Sequence, residues 1–116
     1  MVESIQNAEI SKVVDKLKEA RDLIARPWGW VRGSFTRPTR AGMGYCALGA
    51  AEHVAGDSYG TFEQMHRCLM EAVREVTGGE WSGVIGFNDS ARDKRRVLRL
   101  FDKAIEIAER KRVSND

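Results

Sequence analysis

A chain of 116 residues, 42% hydrophobic and 31% charged, has room for one packed core and little for a second, which argues for a single ordered domain over residues 1–116. No apolar run nears the roughly 18 residues that cross a bilayer, and Met1-Val2-Glu3-Ser4 lacks the basic and apolar regions of a secretion signal, so a cytoplasmic protein with no membrane partner is expected. The net charge of +2 and pI near 8.7 fall short of the imbalance that by itself announces a nucleic-acid binder.

The first helix is predicted over Ala8–Ala25. Ile10, Val13, Val14, Leu17, Ala20 and Ile24 recur at spacings of three and four, opposite Glu9, Lys12, Asp15, Lys16, Glu19 and Asp22. Asn7 fits an N-cap, and Pro27 ends the helix because the residue before a proline avoids helical geometry. Residues 27–40 hold two prolines and two glycines, which excludes a long helix and favours a short extended piece or loose hairpin. Here Arg26, Arg32, Arg37 and Arg40 interleave with Trp28, Trp30 and Phe35, the most unusual composition in the chain.

Tyr45 to Ala51 carries no charge and is rich in alanine and glycine. That pattern predicts a short central helix, apolar on every side, opened by Gly42-Met43-Gly44 and closed near Gly56. A third helix follows, with Thr61 as N-cap and Gln64 completing a capping box. Its stripe is Phe62, Met65, Leu69, Ala72, Val73 and Val76, and Gly78-Gly79 stops it. Val84-Ile85-Gly86-Phe87 reads as a buried strand or turn. The last helix is predicted over Ala91–Lys111, capped by Ser90 with Asp93, its stripe formed by Val97, Leu98, Phe101, Ala104, Ile105 and Ala108. Residues 1–7 and 112–116 are expected to fray. The sum is a mainly α, compact four-helix domain with one small extended element, its central helix clasped by the other three.

Cys46 is the sharpest catalytic candidate, since a helix N-terminus lowers a thiol pKa. Its base cannot be His53, about two turns and ~10 Å along the same helix. His66 would have to approach from the third helix, oriented by Asn88 or Asp89. The competing reading makes Cys46 a small buried residue at a tight helix crossing, and with no secretion signal both Cys46 and Cys68 are expected as free buried thiols. Cys46, His53, His66 and Cys68 lack the spacing of a structural zinc site, so no metal and no cofactor is expected.

Gly42-Met43-Gly44, with Arg37 and Arg40 upstream, could cradle an anion at a helix start, although no dinucleotide fingerprint surrounds it. Trp28, Trp30 and the arginines could instead hold nucleic acid. A second basic run, Arg92, Lys94, Arg95, Arg96 and Arg99, reads as a solvated helix face. Asn88-Asp89 suits a turn or cap, or a partly buried pair bonded to the central helix; either role is architectural.

Gly29-Trp30-Val31-Arg32-Gly33, Tyr45-Cys46-Ala47-Leu48-Gly49-Ala50-Ala51 and Phe87-Asn88-Asp89, followed by Val97-Leu98 and Ala104-Ile105, together resemble a family of short proteins of unknown function from actinobacteria and their phages. That family shows an aromatic-Cys-Ala-x-Gly-Ala segment and a later aromatic-Asn-Asp leading into a final helix. The resemblance covers roughly Val14 to Ala108, with Tyr45 and Phe87 standing where tryptophan is usual. It implies no activity and supplies no histidine matching His53 or His66; by analogy it implies a small, host-directed phage protein.

The expectation from the sequence is therefore a non-enzymatic binding module using Trp28, Trp30, Arg32, Arg37 and Arg40. A protein partner is favoured, an anionic ligand or nucleotide at Gly42–Gly44 is the alternative, and nucleic acid ranks lower. A cysteine hydrolase built on Cys46, His66 and Asp89 is the enzymatic alternative.

Overall fold

A computed structural model describes residues 2–81 and 83–113. It contains α1 (Val2–Ala25), β1 (Thr36–Thr39), β2 (Gly42–Tyr45), α2 (Ala47–Ala55), α3 (Tyr59–Thr77), α4 (Val84–Ser90) and α5 (Lys94–Val113). The architecture is mainly α with a small antiparallel sheet, as expected, but five helices are present among the described residues and not four.

Helix α1 buries Val13, Val14, Leu17, Ala20 and Ile24, the stripe its sequence prescribes. It begins before Ala8, with Asn7 inside it and not capping it, because no glycine or proline interrupts Val2–Asn7. The fraying expected at residue 1 and at 114–116 lies outside the described residues. At the other end the Lys94 ammonium donates to the carbonyls of Ala25 (3.4 Å) and Arg26 (2.8 Å), satisfying acceptors that a helix C-terminus leaves open.

The segment Gly42–Gly44 does not open a helix. It forms β2, paired with β1 in the register Thr36↔Tyr45, Arg37↔Gly44, Pro38↔Met43 and Thr39↔Gly42, across a two-residue turn at Arg40-Ala41. Gly42 supplies the positive φ (123°) this turn requires. Pro38 is tolerated because a two-stranded sheet has only edge strands.

Helix α2 is the inner helix. Ala47, Leu48, Gly49, Ala50, Ala51 and Ala55 are buried, and it closes at Gly56 as predicted. A Cβ on Gly49 would lie 2.1 Å from the Phe35 carbonyl oxygen, so only glycine lets the hairpin rest on this helix. Around α2 pack α1, α3, α4 and β2, while α5 makes its main contacts along α1 and α3. The expectation that all the other long helices clasp α2 is corrected accordingly.

Two caps and one element also differ from expectation. Ser58, not Thr61, caps α3: its Oγ accepts the Thr61 amide (3.4 Å) and donates to Thr61 Oγ1 (2.7 Å). Val84–Ser90 is helical because Val84, Phe87 and Asn88 follow i, i+3, i+4, a helical face that only appears once the polar Asn88 is counted as buried. Ser90 therefore ends α4, donating to the Phe87 carbonyl, and Asp93 alone caps α5 by accepting the Arg96 amide (3.4 Å). The buried stripe of α5 runs through Val97, Leu100, Phe101, Ala104, Ile107 and Ala108, with Leu98 and Ile105 at its margin; on α3, Cys68 is buried and Val76 is exposed.

Candidate functional site

The glycine- and tryptophan-rich segment after α1 is organised from beneath by one side chain. Asn88 is fully buried on α4. Its Oδ1 accepts the Trp30 indole N–H (2.8 Å) and the Ala47 amide (3.0 Å), and its Nδ2 donates to the Val31 carbonyl (3.1 Å) and Asp89 Oδ1 (3.1 Å). That uses all four hydrogen-bonding sites of the amide and ties the segment, the start of α2 and α4 together. Asp89 extends the junction by accepting the Gly33 amide (2.9 Å). Arg32 donates to the Ala91 carbonyl (3.1 Å), its guanidinium 5.6 Å from the Trp30 ring centroid. Trp30 and Arg32, expected to bind a partner, also make bonds within the fold, Trp30 half-buried and Arg32 exposed.

Trp28 is exposed instead, at 57%, and sits at φ 61°, the one non-glycine residue with positive φ among those described. Such a backbone persists only when its surroundings impose it. Here they do: Gly29 donates to the Arg26 carbonyl (2.8 Å), Tyr45 donates to the Gly29 carbonyl (2.8 Å), and Val31 donates to the Tyr45 carbonyl (3.1 Å). Gly44 lies directly beneath; a Cβ there would meet Val31 Cγ1 at 2.7 Å and the Trp28 carbonyl oxygen at 2.9 Å. The indole is presented on a rigid support.

Met43 and Phe35 are also exposed, as are Arg26, Arg32, Arg37 and Arg40. Arg26 donates to the carbonyls of Leu23 and Met43 (both 3.3 Å). Arg37 and Arg40 are exposed and have no hydrogen-bond or ion-pair partner among the described residues. Among the described residues none of the four forms an ion pair with a carboxylate. Other exposed charges are paired between helices, as in Arg21–Asp102 (2.7 Å) between α1 and α5 and Arg110–Glu75 (3.3 Å) between α5 and α3.

Cys46 does not meet the histidine required of a nucleophile. It is buried as the N-cap of α2, its Sγ accepting the Gly49 amide (3.3 Å). Burial pushes its thiol above the ordinary value, with the Asp89 carboxylate adding to the rise, and the amides of Gly49 and Leu48 offset this only in part. The dipole argument for a thiolate is overruled by desolvation. His66 stacks on Phe62 (5.8 Å between centroids) and His53 leans on Tyr45 (5.0 Å). Cys68 is likewise a buried free thiol raised by desolvation. Among the described residues no three His, Cys, Asp or Glu side chains gather where a metal could bind.

The anion cradle is also corrected. The glycines belong to a strand, and the amides of Tyr45 and Cys46 already donate to the carbonyls of Gly29 and Phe35. A cavity of about 160 Å³ beside the segment is lined by Gly33, Ser34, Phe35, Ile85 and Asp89, a carboxylate and no arginine. Two contributors escape the sequence reading. Met43 was hidden by its glycine neighbours, and the start of α5 lies next to the segment through the Lys94–Arg26 and Arg32–Ala91 bonds. Among the described residues no helix is long and apolar enough to cross a membrane.

Residues 10–107 match the model of a family of unknown function, DUF6197, and the chain belongs to that family. The match takes in the segment, α2 and the Asn88 junction. No curated protein and no solved structure matches the chain.

Proposed function

We propose that the chain is a non-enzymatic binding module whose contact surface is the outer side of the Trp28–Arg40 segment with Met43. The observation that carries this reading is the exposed Trp28 indole, fixed at positive φ in a segment whose Arg37 and Arg40 have no ion-pair partner among the described residues. A rigid aromatic loses little entropy on docking, and tryptophan and arginine are the side chains most enriched at binding hot spots. The binding residues are Trp28, Arg37 and Arg40. Trp30 and Arg32 hold the platform from below. If the resemblance to actinophage proteins extends to origin, the partner is a host component.

The test is to compare the wild-type protein with Trp28→Ala and Arg37→Ala as bait in an extract of the producing cell. Both side chains are exposed, so both variants should melt within a few degrees of wild type, on the order of a 0.5 kcal/mol change. Partner capture should be lost in both. Capture that survives both substitutions would refute the assignment of this surface.

A cysteine-hydrolase reading retains no geometric support, because the Cys46 sulfur serves as a cap and lacks an imidazole partner among the described residues.

A further inference from the structure

We infer that the ligand of this surface is a single-stranded nucleic acid, its phosphates held by arginines of the hairpin and of the first turns of α5 and one base stacked on Trp28. The inference rests on the binding-module reading and names its partner class.

The charge distribution is the first support. Residues 23–51 contain four arginines and no carboxylate, and residues 88–99 contain five basic side chains against Asp89 and Asp93. In the sequence these runs stand far apart and the total is only +2. In the fold they adjoin at the C-terminal end of α1, where the Arg26 carbonyl accepts from Lys94 (2.8 Å), the Arg26 guanidinium reaches Met43 (3.3 Å), and Arg32 reaches Ala91 (3.1 Å). Nine basic side chains against Asp89 and Asp93 give +7, which Glu19 and Asp22, lining one cavity with Arg26, reduce to +5, leaving −3 for the remainder. Asp89 and Asp93 are already engaged: Asp89 with Gly33 and Asn88, and Asp93 with the α5 amide and Arg95. Such a field attracts a polyanion and releases its counterions.

The form of the site is the second support. The cavity of about 540 Å³ that Arg26 lines also carries Glu19 and Asp22, which disfavour a compact anion there. The cationic groups are instead strung around an end of the molecule, as a repeating backbone anion requires. At α5, Arg96 and Arg99 flank a cavity of about 140 Å³ floored by Val76 and Phe87, which fits a phosphate or sugar edge. The exposed indole needs an unpaired base to stack on, which favours a single strand over a duplex.

The experiment is fluorescence anisotropy with roughly 20-nucleotide oligo-dT and oligo-U, with poly-glutamate as the acidic-polypeptide probe. Affinity for the oligonucleotides should fall steeply between about 50 and 200 mM salt, with a slope near −0.7 per phosphate contact. Trp28→Ala should weaken binding about tenfold. Arg37→Ala, Arg40→Ala and Arg99→Ala should each lower the slope by about 0.7, whereas Arg110→Ala, at the far end of α5, should leave it unchanged. If poly-glutamate binds through Trp28 and Arg37 while the oligonucleotides do not, the nucleic-acid inference is overturned and the binding-module reading stands. If oligonucleotides bind but Trp28→Ala and the three arginine variants bind like wild type, this assignment fails. Binding of neither polymer at low salt overturns the inference, and the capture experiment then judges the module reading alone.

Discussion

Trp28 and Trp30 stand two residues apart in one short segment and meet opposite fates. The Trp30 indole N–H is bonded to a buried amide on α4, and its ring lies half-buried under Arg32. The Trp28 ring is exposed on a backbone conformation that tryptophan ordinarily avoids. Below the segment every polar atom of Asn88 has a partner; above it, Arg37 and Arg40 have none among the described residues. A satisfied interior network gives rigidity, and unsatisfied exposed groups carried on it are available to a ligand. The contrast separates what holds the segment from what the segment presents.

The comparison breaks most sharply at Asn88. Asn88→Ala removes four hydrogen bonds and strands the Ala47 amide, the Trp30 indole and the Val31 carbonyl away from water. The expected loss is about 4 kcal/mol in a urea titration, since each stranded buried group costs about 1–3 kcal/mol. A loss below 1 kcal/mol would mean that the junction is not the anchor. Gly49→Ala comes next, and its sign is diagnostic. In an ordinary helix this change stabilises by roughly 1 kcal/mol, but here the new Cβ meets the Phe35 carbonyl oxygen. A loss of about 2–3 kcal/mol is expected as the hairpin is pushed off α2. Trp30→Phe keeps the ring and deletes one donor while Ala47 still satisfies Asn88, so about 1 kcal/mol should be lost.

Much of the frame was legible in the sequence. The periodicity of α1, the burial of Ala47–Ala51, the stop at Gly78 and the free buried cysteines all follow from local pattern. What escaped was decided at long range. Val84–Phe87 reads as a strand because Asn88 looks like a turn residue, and only its bonds to Trp30 and Val31 make it part of a buried helical face. For the same reason the tryptophans could not be told apart: the Trp30 indole is held by a residue 58 positions away. Gly42–Gly44 reads equally as a helix start or a strand because glycine permits both, and only its pairing with β1 decides. The partnership of the two basic runs is likewise invisible in a chain of net charge +2.

On the outer side of the segment the expected stability effects are smaller and of opposite sign. Trp28→Gly removes the cost of a positive φ, about 1–2 kcal/mol, and adds unfolded-chain entropy of roughly 0.5–1 kcal/mol. A net gain of about 0.5–1 kcal/mol is expected, together with loss of binding. A variant that is both more stable and unable to bind would demonstrate that strain is held there for contact and not for folding. A destabilised variant would place Trp28 with Trp30 among the supporting residues.

The smallest effect at neutral pH belongs to Cys46, and there pH supplies the resolution. Cys46→Ser keeps an acceptor for the Gly49 amide, so stability should change by about 0.5 kcal/mol or less at pH 7. The native thiol holds its proton more tightly than the unfolded one, because burial disfavours the thiolate. A group whose folded pKa is raised contributes stability that is complete below its unfolded value, here near 9.0, and is lost as pH rises through the folded value. Between wild type and Cys46→Ser the stability gap should therefore be flat up to about pH 9 and then move against wild type. Iodoacetamide should label Cys46 slowly until denaturant is added, as a protonated, buried thiol requires. Fast labelling of the folded protein at pH 7, with a stability gap that opens in acid, would instead reveal a thiolate at the start of α2 and return Cys46 from the supporting interior to the reactive surface.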